Sequence, residues 1–310
     1  MELRLFILYL CFHSILYSQN GLFNEKEISI NRYIDGTLTL PNDDNDLDLV
    51  IIIGGSGPTD RNGNQNFLKN NALKKLSQGL VANGIATFRY DKRIVKQIRE
   101  RHVDPNITFD DFITDAIAVI EYFKKTDVYN KIYILGHSQG SLVGMVASKD
   151  RVDGFISVAG AGQNIGDVLD EQISKTAPQF AEESKTIIEH LKKGELVHNY
   201  PQALASVFSM DLQPFMINWM QYEPSQVITH LKIPILIANG TKDLQTSVEE
   251  AHKLKAAAPE STLIIIEYMN HVLVPIMGDD LENSKSYNEP HREISTELIN
   301  SITTFIKSNH

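Results

Sequence analysis

The feature that most constrains this chain lies at residues 132–140, where an apolar, β-branched run ends in Gly-His-Ser-Gln-Gly and a helix-like stretch follows directly. This is Gly-x-Ser-x-Gly in the order of strand, sharp turn and helix that presents a nucleophilic serine. Gly136 and Gly140 let neighbouring backbone pass without a Cβ clash, so Ser138 stands exposed at the carboxyl edge of a sheet. His137 is expected to point away from Ser138. An ordinary glycine-flanked strand–helix turn is the alternative, but the flanking strand and helix favour a nucleophile.

Apolar runs alternate with helical patterns along most of the chain. The predicted strands are 27–31, 37–40, 49–53, 85–90, 131–135, 154–159, 233–238 and 262–268. The predicted helices outside the segment 163–230 are 67–83, 109–125 and 295–307. The first two strands are expected to form an antiparallel pair around Asp35 and Gly36. The remaining alternation predicts an α/β fold with a mainly parallel sheet and helices on both faces.

Residues 163–230 interrupt this alternation, because they contain no strand pattern. Their helical patterns are 165–175, 180–191, 201–209 and 212–221. An insertion of this length after a strand predicts a helical lid at the carboxyl edge of the sheet. We therefore expect one α/β domain over residues 20–310, with the lid inserted at about 163–230.

Residues 1–19 are predicted to be a secretory signal peptide. Arg4 precedes an almost wholly apolar stretch at 5–17, which is shorter than the about 20 residues that span a bilayer. A buried N-terminal helix and a lipoprotein anchor at Cys11 are the alternatives. Cys11 is the only cysteine, so the mature chain has no disulfide and no cysteine-based metal site. We expect an exported protein, periplasmic or secreted, with no stable membrane insertion after removal of the leader.

Charge and motif content exclude several classes of partner. The chain has 310 residues and a net charge of −10, which argues against nucleic acid and anionic membrane surfaces as partners. No metal-binding pattern such as His-Glu-x-x-His occurs, and neither a metal nor another cofactor is predicted. The expected partner is a small-molecule acyl substrate, and the oligomeric state is left open.

A serine hydroxyl needs a base in reach and a third group that orients the base. Asp243 and His271 each follow the carboxyl end of a predicted strand. Because the carboxyl ends of parallel strands meet at one edge of a sheet, both residues are expected near Ser138. Glu267 is the alternative acid, and His291 is the alternative base.

An oxyanion hole requires backbone N–H groups aimed at the charge that develops in the transition state. Gln139 directly follows the nucleophile and is expected to supply one N–H group. The glycine-rich loop 53–61 follows an earlier strand, and we expect the second N–H from Ser56, with Gly55 as the alternative. A phosphate-binding loop is the other interpretation, but this loop has neither Gly-x-Gly-x-x-Gly nor Gly-Lys-Ser/Thr.

These motifs resemble the α/β-hydrolase superfamily, and most closely its bacterial serine-aminopeptidase-like acyl esterases. The matching motifs are Gly-Ser-Gly-Pro-x-Asp-Arg at 55–61, Gly-Thr-x-Asp at 240–243 and Asn-His-Val-Leu at 270–273. The order of nucleophile, acid and base along the chain is also that of the superfamily. The resemblance implies an α/β-hydrolase fold over roughly residues 27–308 and a triad of Ser138, Asp243 and His271.

Two charged clusters follow predicted strands at the same sheet edge, Asp-Arg at 60–61 and Asp-Lys-Arg at 91–93. We interpret both as ion pairs that hold loops, with substrate contact as the alternative. In the resembling esterases a glycine often follows Asp-Lys-Arg, whereas Ile94 follows Arg93 here. The loop after this strand is therefore expected to differ from theirs.

The sequence predicts a carboxylic ester hydrolase that works through an acyl-enzyme on Ser138. Phe215, Met216 and Trp219, near the end of the lid, are expected to line the acyl site, with ordinary lid packing as the alternative. A serine aminopeptidase is a second candidate, and it would need a carboxylate for the substrate ammonium. The candidates for that carboxylate are Glu171, Glu182 and Glu183. A non-catalytic binding protein with this fold is a third.

Overall fold

The computed structural model describes residues 23–42 and 46–309, and its described strands form one sheet. The strands are β1 (Phe23–Asn31), β2 (Ile34–Pro41), β3 (Leu49–Ile53), β4 (Ala86–Tyr90), β5 (Ile132–His137), β6 (Gly154–Val158), β7 (Ile235–Gly240) and β8 (Thr262–Ile266). Their order across the sheet is β1-β2-β4-β3-β5-β6-β7-β8. β1 and β2 run antiparallel to their neighbours, whereas β3 to β8 run parallel. The predicted mainly parallel sheet is confirmed.

Helices cover both faces of this sheet. They are α1 (Ala72–Ala82), α2 (Arg93–Arg99), α3 (Phe109–Thr126), α4 (Gln139–Ser148), α5 (Ile165–Thr176), α6 (Ala181–Lys192), α7 (Ala205–Phe208), α8 (Gln213–Trp219), α9 (Pro224–Val227), α10 (Val248–Ala257), α11 (Asp280–Ser286) and α12 (Thr296–Ser308). α3, α4 and α10 pack on one face, and α1 and α12 pack on the other. Among the described residues, no helix combines the length and the apolar character needed to cross a membrane. The predicted signal peptide at 1–19 lies outside the described residues.

Strand β3 is apolar at every position because both of its faces are buried. Ile51 and Ile53 belong to the core on one face, whereas Val50 and Ile52 belong to the core on the other. Successive side chains of a strand point to opposite faces, so a strand covered on both sides must be apolar at every position. Most of the polar groups that could do chemistry are therefore expected at the strand ends and in the loops at the carboxyl edge.

The first hairpin turns at residues 32–33, so the predicted turn at 35–36 is wrong. The Asn31 side chain sets the turn, because its Oδ1 accepts hydrogen bonds from two following backbone N–H groups at 2.8 and 3.2 Å. Gly36 instead lies inside β2, where a Cβ would come within 2.2 Å of Phe88 Cζ. The glycine is there for close packing and not for a turn.

Helix α1 begins at Ala72, whereas the sequence pattern predicts a start at residue 67. Phe67 and Asn71 have left-handed φ angles of 65° and 56°, which a right-handed helix does not accommodate. The Asn64 side chain stabilises this loop, because its Oδ1 accepts hydrogen bonds from the backbone N–H groups of Asn70 and Asn71 at 3.0 and 2.9 Å. The apolar residues before Ala72 therefore belong to a loop.

The segment between β6 and β7 is a helical insertion that contains α5 to α9. It has a core of its own, formed by Ile173, Ile187, Ile188, Leu191, Leu204, Phe208, Met216 and Met220. Contacts with α3 fix its last part: the Trp219 ring stacks on Phe109 with centroids 5.5 Å apart, and Tyr222 Oη donates to Asp110 Oδ1 at 2.5 Å. The insertion is thus anchored to the main domain on the α3 side.

Candidate active site

Ser138 occupies the turn between β5 and α4, with φ of 55° and ψ of −122°. A non-glycine residue in this left-handed region stores strain of about 1–3 kcal/mol. On either side of Ser138, other backbone segments approach so closely that only glycine fits at positions 136 and 140. A Cβ on Gly136 would lie 2.2 Å from the Gly140 carbonyl oxygen, and a Cβ on Gly140 would lie 2.4 Å from the Ile53 carbonyl oxygen. The local geometry is therefore the sharp strand–turn–helix that the sequence pattern predicts.

Asp243 and His271 form a buried hydrogen-bonded pair beyond the ends of β7 and β8. His271 Nδ1 lies 2.8 Å from Asp243 Oδ2, and the two side chains are 6% and 0% exposed. Asp243 Oδ1 accepts hydrogen bonds from the backbone N–H groups of Gln245 and Thr246, both at 2.8 Å. Because an ionised carboxylate only accepts, Nδ1 is the donor, and Nε2 is left as the proton acceptor of the neutral ring.

His137 contacts His271 directly. Its Nε2 donates to the His271 carbonyl oxygen at 2.8 Å, and the two ring centroids lie 4.9 Å apart. Burial, together with the charge of a protonated His271, lowers the pKa of His137 to about 4. His137 is therefore neutral near pH 7 and holds the His271 backbone in place, a contact that the sequence analysis did not anticipate.

Two cavities meet at Ser138. The large cavity, of about 1000 Å³, lies beneath the helical insertion and includes Phe215, Met216 and Trp219 in its mostly apolar lining. The small cavity, of about 180 Å³, is lined by both Ser138 and His271. The structure thus brings the predicted nucleophile and base to one cavity, and it puts the three predicted pocket residues in the other.

The predicted oxyanion loop lies against the nucleophile. A Cβ on Gly55 would come within 3.2 Å of Ser138 Cβ. The Ser56 carbonyl oxygen accepts hydrogen bonds from Thr59 Oγ1 at 2.7 Å and Gln65 Nε2 at 2.8 Å, which fix the loop. Within residues 23–42 and 46–309, no hydrogen bond uses the backbone N–H of Ser56 or of Gln139. Both N–H groups beside Ser138 are therefore available to a ligand.

Ion pairs connect the loops after β3 and β4, as the charged clusters at 60–61 and 91–93 predict. Asp91 Oδ2 accepts from Arg61 at 2.8 Å and from Arg99 at 2.6 Å. Burial alone would raise the pKa of Asp91, but its hydrogen bonds with Arg61 and the neighbouring cations lower it below the ordinary value. Arg93 pairs in the same way with Asp115 on α3, at 2.7 Å.

Lys92 does not follow this pattern. It is 6% exposed, and its Nζ donates to the Gly55 carbonyl oxygen at 2.9 Å and to Gln139 Oε1 at 2.6 Å. Burial lowers the pKa of Lys92 to about 7. The sequence places Lys92 two residues after β4, at the edge of the sheet where the site lies. Because it stands between two charged residues, however, its sequence context predicts a surface ion pair and not a buried lysine.

The alternative candidates lie apart from this cluster. Glu267 and His291 are exposed, and neither lines the large or the small cavity. The three glutamates considered for a substrate ammonium, Glu171, Glu182 and Glu183, are exposed as well and line neither cavity. In the described part of the chain, no group of three or more His, Cys, Asp or Glu side chains is arranged to hold a metal ion.

Known proteins resemble this chain in sequence. The model of the family described as serine aminopeptidase, S33, matches residues 70–275. The chain is 25% identical over 263 residues to esterase EstD of Thermotoga maritima, a match that covers 81% of this chain and 60% of EstD. The chain thus spans about three fifths of the length of this curated relative.

Solved structures share the fold. Est1E from Butyrivibrio proteoclasticus superposes with a TM-score of 0.57 at 17% identity, over 92% of this chain and 98% of Est1E. The acylaminoacyl peptidase of Pyrococcus horikoshii gives a TM-score of 0.54 at 14% identity, over 93% of this chain and 42% of that protein. The match of the family model to residues 70–275, more than half of the chain, shows that the chain belongs to the serine aminopeptidase, S33, family of the α/β-hydrolase superfamily.

Proposed function

We propose that this protein is a serine hydrolase that cleaves carboxylic esters, with Ser138 as nucleophile, His271 as general base and Asp243 as the group that orients the base. One observation carries the proposal: His271, bonded through Nδ1 to Asp243 at 2.8 Å, lines the same cavity as the left-handed Ser138. The similarity to a curated esterase supports the choice of esters as substrates.

In the proposed acylation, the Ser138 oxygen attacks the ester carbonyl carbon while His271 Nε2 takes the hydroxyl proton. The tetrahedral intermediate then collapses, the carbon–oxygen bond to the alcohol breaks, and the imidazolium returns the proton to the departing oxygen. In deacylation, water attacks the acyl carbonyl while His271 takes one of its protons. The second tetrahedral intermediate then collapses, the bond between the acyl carbon and the Ser138 oxygen breaks, and the imidazolium returns the proton to that oxygen as the acid departs. Asp243 accepts from Nδ1 throughout and stabilises the imidazolium.

The backbone N–H groups of Ser56 and Gln139 are the proposed oxyanion donors. Both flank Ser138, and both are without a hydrogen-bond acceptor among the described residues. Donors fixed before the reaction stabilise the developing charge at no reorganisation cost, and the loss of one such donor typically lowers kcat by about 10²–10³-fold.

The two cavities determine the orientation in which the ester binds. The departing alcohol oxygen receives its proton from His271, so the alcohol must lie on the side of Ser138 that His271 lines. That side is the small cavity, and His271 is absent from the described residues that line the large one. We therefore assign the alcohol to the small cavity and the acyl group to the large cavity.

Cavity size then defines the substrate class. A volume of about 1000 Å³ lies at the upper end of the about 300–1,000 Å³ that suits a drug-sized ligand. The small cavity, at about 180 Å³, falls below that range. Phe215, Met216 and Trp219 supply apolar walls to the large cavity. The proposed substrates are esters of a large apolar acid with a small alcohol.

The test compares Ser138→Ala with Ser148→Ala, a matched control at the end of the helix that follows Ser138. The Ser148 Oγ lacks a hydrogen-bond partner among the described residues. With methyl hexanoate, followed by acid release at constant pH, Ser138→Ala should lose at least about 10³-fold in kcat, and Ser148→Ala should resemble the wild type. A fluorophosphonate should label Ser138, as read by peptide mass. Activity that persists in Ser138→Ala would contradict the proposal, and a wild type inert to both reagents would favour a non-catalytic binding protein.

A peptidase is the second candidate, because the family description names an aminopeptidase. Two carboxylates, Asp104 and Asp211, line the large cavity and are the groups that could receive a substrate ammonium there. Alanine p-nitroanilide and N-acetylalanine p-nitroanilide, which have the same scissile bond, separate the two functions. An aminopeptidase should cleave the unblocked anilide faster than the N-acetylated one, whereas the ester proposal predicts hydrolysis of methyl hexanoate and cleavage of neither anilide.

We also propose that the protein is exported by a leader at residues 1–19, because an apolar stretch at 5–17 follows a basic residue. Fusion of these residues to a phosphatase that is active only outside the cytoplasm tests export. Full phosphatase activity is expected for the intact leader, and a Leu8→Asp substitution should abolish it. Equal activity of the two fusions would contradict export by this segment.

A further inference from the structure

Lys92 is a buried cation without a counter-ion. Its neighbours Arg61 and Arg93 both pair with carboxylates, whereas no carboxylate among the described residues lies within 4.0 Å of Lys92 Nζ. Burying an ammonium is costly unless it is paired or hydrogen-bonded. What surrounds Nζ is the Gly55 carbonyl oxygen at 2.9 Å, Gln139 Oε1 at 2.6 Å and the face of the Phe112 ring, 4.3 Å from its centroid.

The first contact acts on a proposed oxyanion donor through one peptide unit. The Gly55 carbonyl and the Ser56 N–H belong to the same planar peptide, in which C=O and N–H point in opposite directions. A hydrogen bond that fixes the carbonyl therefore fixes the direction of the N–H as well. The next peptide is held separately, by Thr59 and Gln65 on the Ser56 carbonyl. Without Lys92, the peptide between Gly55 and Ser56 would have no such anchor on its carbonyl.

The second contact reaches the other proposed donor. Gln139 is the first residue of α4, and its side chain is 6% exposed. With its Oε1 held by Lys92, the residue that supplies the second N–H is tied to the same Nζ atom as the first. One atom therefore links the loop after β3 to the start of α4, on either side of Ser138.

We propose that Lys92 is the positioning residue of the oxyanion hole, holding the Gly55–Ser56 peptide and Gln139 so that both N–H groups face the developing oxyanion. This inference rests on the proposed hydrolase function. An ammonium has three donors, and the contacts of Nζ are two oxygen acceptors and the Phe112 ring. Lys92 also lines the large cavity, so a contact with the acyl group is the alternative role, and the change in KM measured below distinguishes it from positioning. A neutral amine keeps two N–H donors, so both bonds to the loops are available in either charge state.

The test uses Lys92→Met, which keeps the length and apolar contacts of the side chain but removes its donors. Its matched control is Lys96→Met in α2, the helix that begins directly after Lys92. This variant removes a lysine that pairs with Asp35 at 2.9 Å and contacts neither oxyanion loop. We expect Lys92→Met to lower kcat on methyl hexanoate by about 10–100-fold with KM changed less than about twofold, because the lost interaction acts in the transition state. Lys96→Met should match the wild type in both constants.

A second readout follows the transition state directly. An alkyl boronic acid forms a tetrahedral, negatively charged adduct with an active-site serine, and its inhibition constant should rise in Lys92→Met by about the same factor as kcat falls. Lys92→Ala with added methylammonium should recover part of the lost kcat, with Ser138→Ala in the same buffer as the control for direct aminolysis. Gln139→Ala, which keeps its N–H but loses its anchor, should show a smaller loss of kcat and little further loss when combined with Lys92→Met.

Three outcomes overturn the inference. An unchanged kcat in folded Lys92→Met excludes the positioning role, and a raised KM at unchanged kcat assigns Lys92 to substrate binding instead. Equal losses in Lys92→Met and Lys96→Met would indicate a general effect on α2. The proposed function fails separately: in that case the wild type and Lys96→Met hydrolyse no ester, or Ser138→Ala still does.

Discussion

His271 Nδ1 and Asp243 Oδ2 lie 2.8 Å apart although the residues are 28 positions apart in the chain. The second carboxylate oxygen is held by two backbone N–H groups, so the carboxylate cannot rotate without losing them. Asp243 thereby fixes the imidazole as the tautomer that carries its proton on Nδ1. The proposed proton transfer from Ser138 depends on this arrangement, because only an unprotonated Nε2 accepts that proton.

We expect Asp243→Asn to lower kcat by about 10³–10⁴-fold. The amide N–H₂ of asparagine donates to Nδ1, which moves the ring proton to Nε2 and leaves no acceptor for the serine proton. The measurement is kcat on methyl hexanoate with the fold checked by circular dichroism. Glu267→Gln is the control, because it removes the exposed alternative acid and should leave kcat unchanged. A similar loss in both variants, or in Glu267→Gln alone, would contradict the assignment of Asp243.

Local pattern was enough to predict the parallel strands, because they are apolar runs. It also singled out Ser138, Asp243 and His271 as candidates, because each lies directly after such a run, and the structure shows Asp243 bonded to His271 and His271 lining one cavity with Ser138. The start of α1 was not predictable in this way. It is decided by Asn64, whose side chain holds a left-handed Asn71 and so favours a loop over a helix. Such a side-chain contact has no signature in hydrophobic periodicity.

The roles of Lys92 and His137 were not predictable from the sequence for a related reason. Each is a polar residue at a strand end, and its role depends on the groups that other loops bring to it: Gly55 and Gln139 for Lys92, and the His271 carbonyl for His137. Short helices such as α2 were missed as well, since seven residues with several charges show little apolar period.

His137 makes the stability of the fold depend on pH in acid. Burial and the charge of His271 lower its pKa to about 4, against about 6.5 for an ordinary histidine. Between pH 6.5 and 4 the unfolded chain therefore binds a proton at this residue that the folded chain does not, and the free energy of unfolding falls as the pH falls. Over that window the loss from this group amounts to up to about 3 kcal/mol.

His137→Gln tests this dependence, because the glutamine N–H₂ is able to donate to the His271 carbonyl oxygen but does not titrate. Urea unfolding of both proteins from pH 7 to pH 4 should show a smaller loss of stability in the variant. Subtracting the two curves removes the contributions of the other titrating groups. Parallel curves over the whole range would show that the pKa of His137 is not depressed in the folded protein.

Trp219 tests the assignment of the acyl group to the large cavity. Its ring lines that cavity while stacking on Phe109. Each buried CH₂ group contributes about 0.8 kcal/mol, so loss of contact with two of them lowers kcat/KM about tenfold. We expect Trp219→Ala to lower kcat/KM for methyl decanoate by about this factor relative to methyl acetate. Met220→Ala is the control, because Met220 is buried in the insertion but lines neither cavity.

Leu68 tests the complementary assignment of the alcohol to the small cavity. It is 40% exposed and lines that cavity but not the large one, so Leu68→Ala enlarges the space for the alcohol without touching the acyl side. We expect the ratio of kcat/KM for benzyl hexanoate to that for methyl hexanoate to rise about tenfold, the usual effect of relieving a steric limit of one or two carbon atoms. Leu281→Ala removes another exposed leucine that lines neither cavity and should leave the ratio unchanged. If Leu68→Ala changed the preference for acyl length and not for alcohol size, the ester would bind in the reverse direction, and His271 could not protonate the departing oxygen from where it lies.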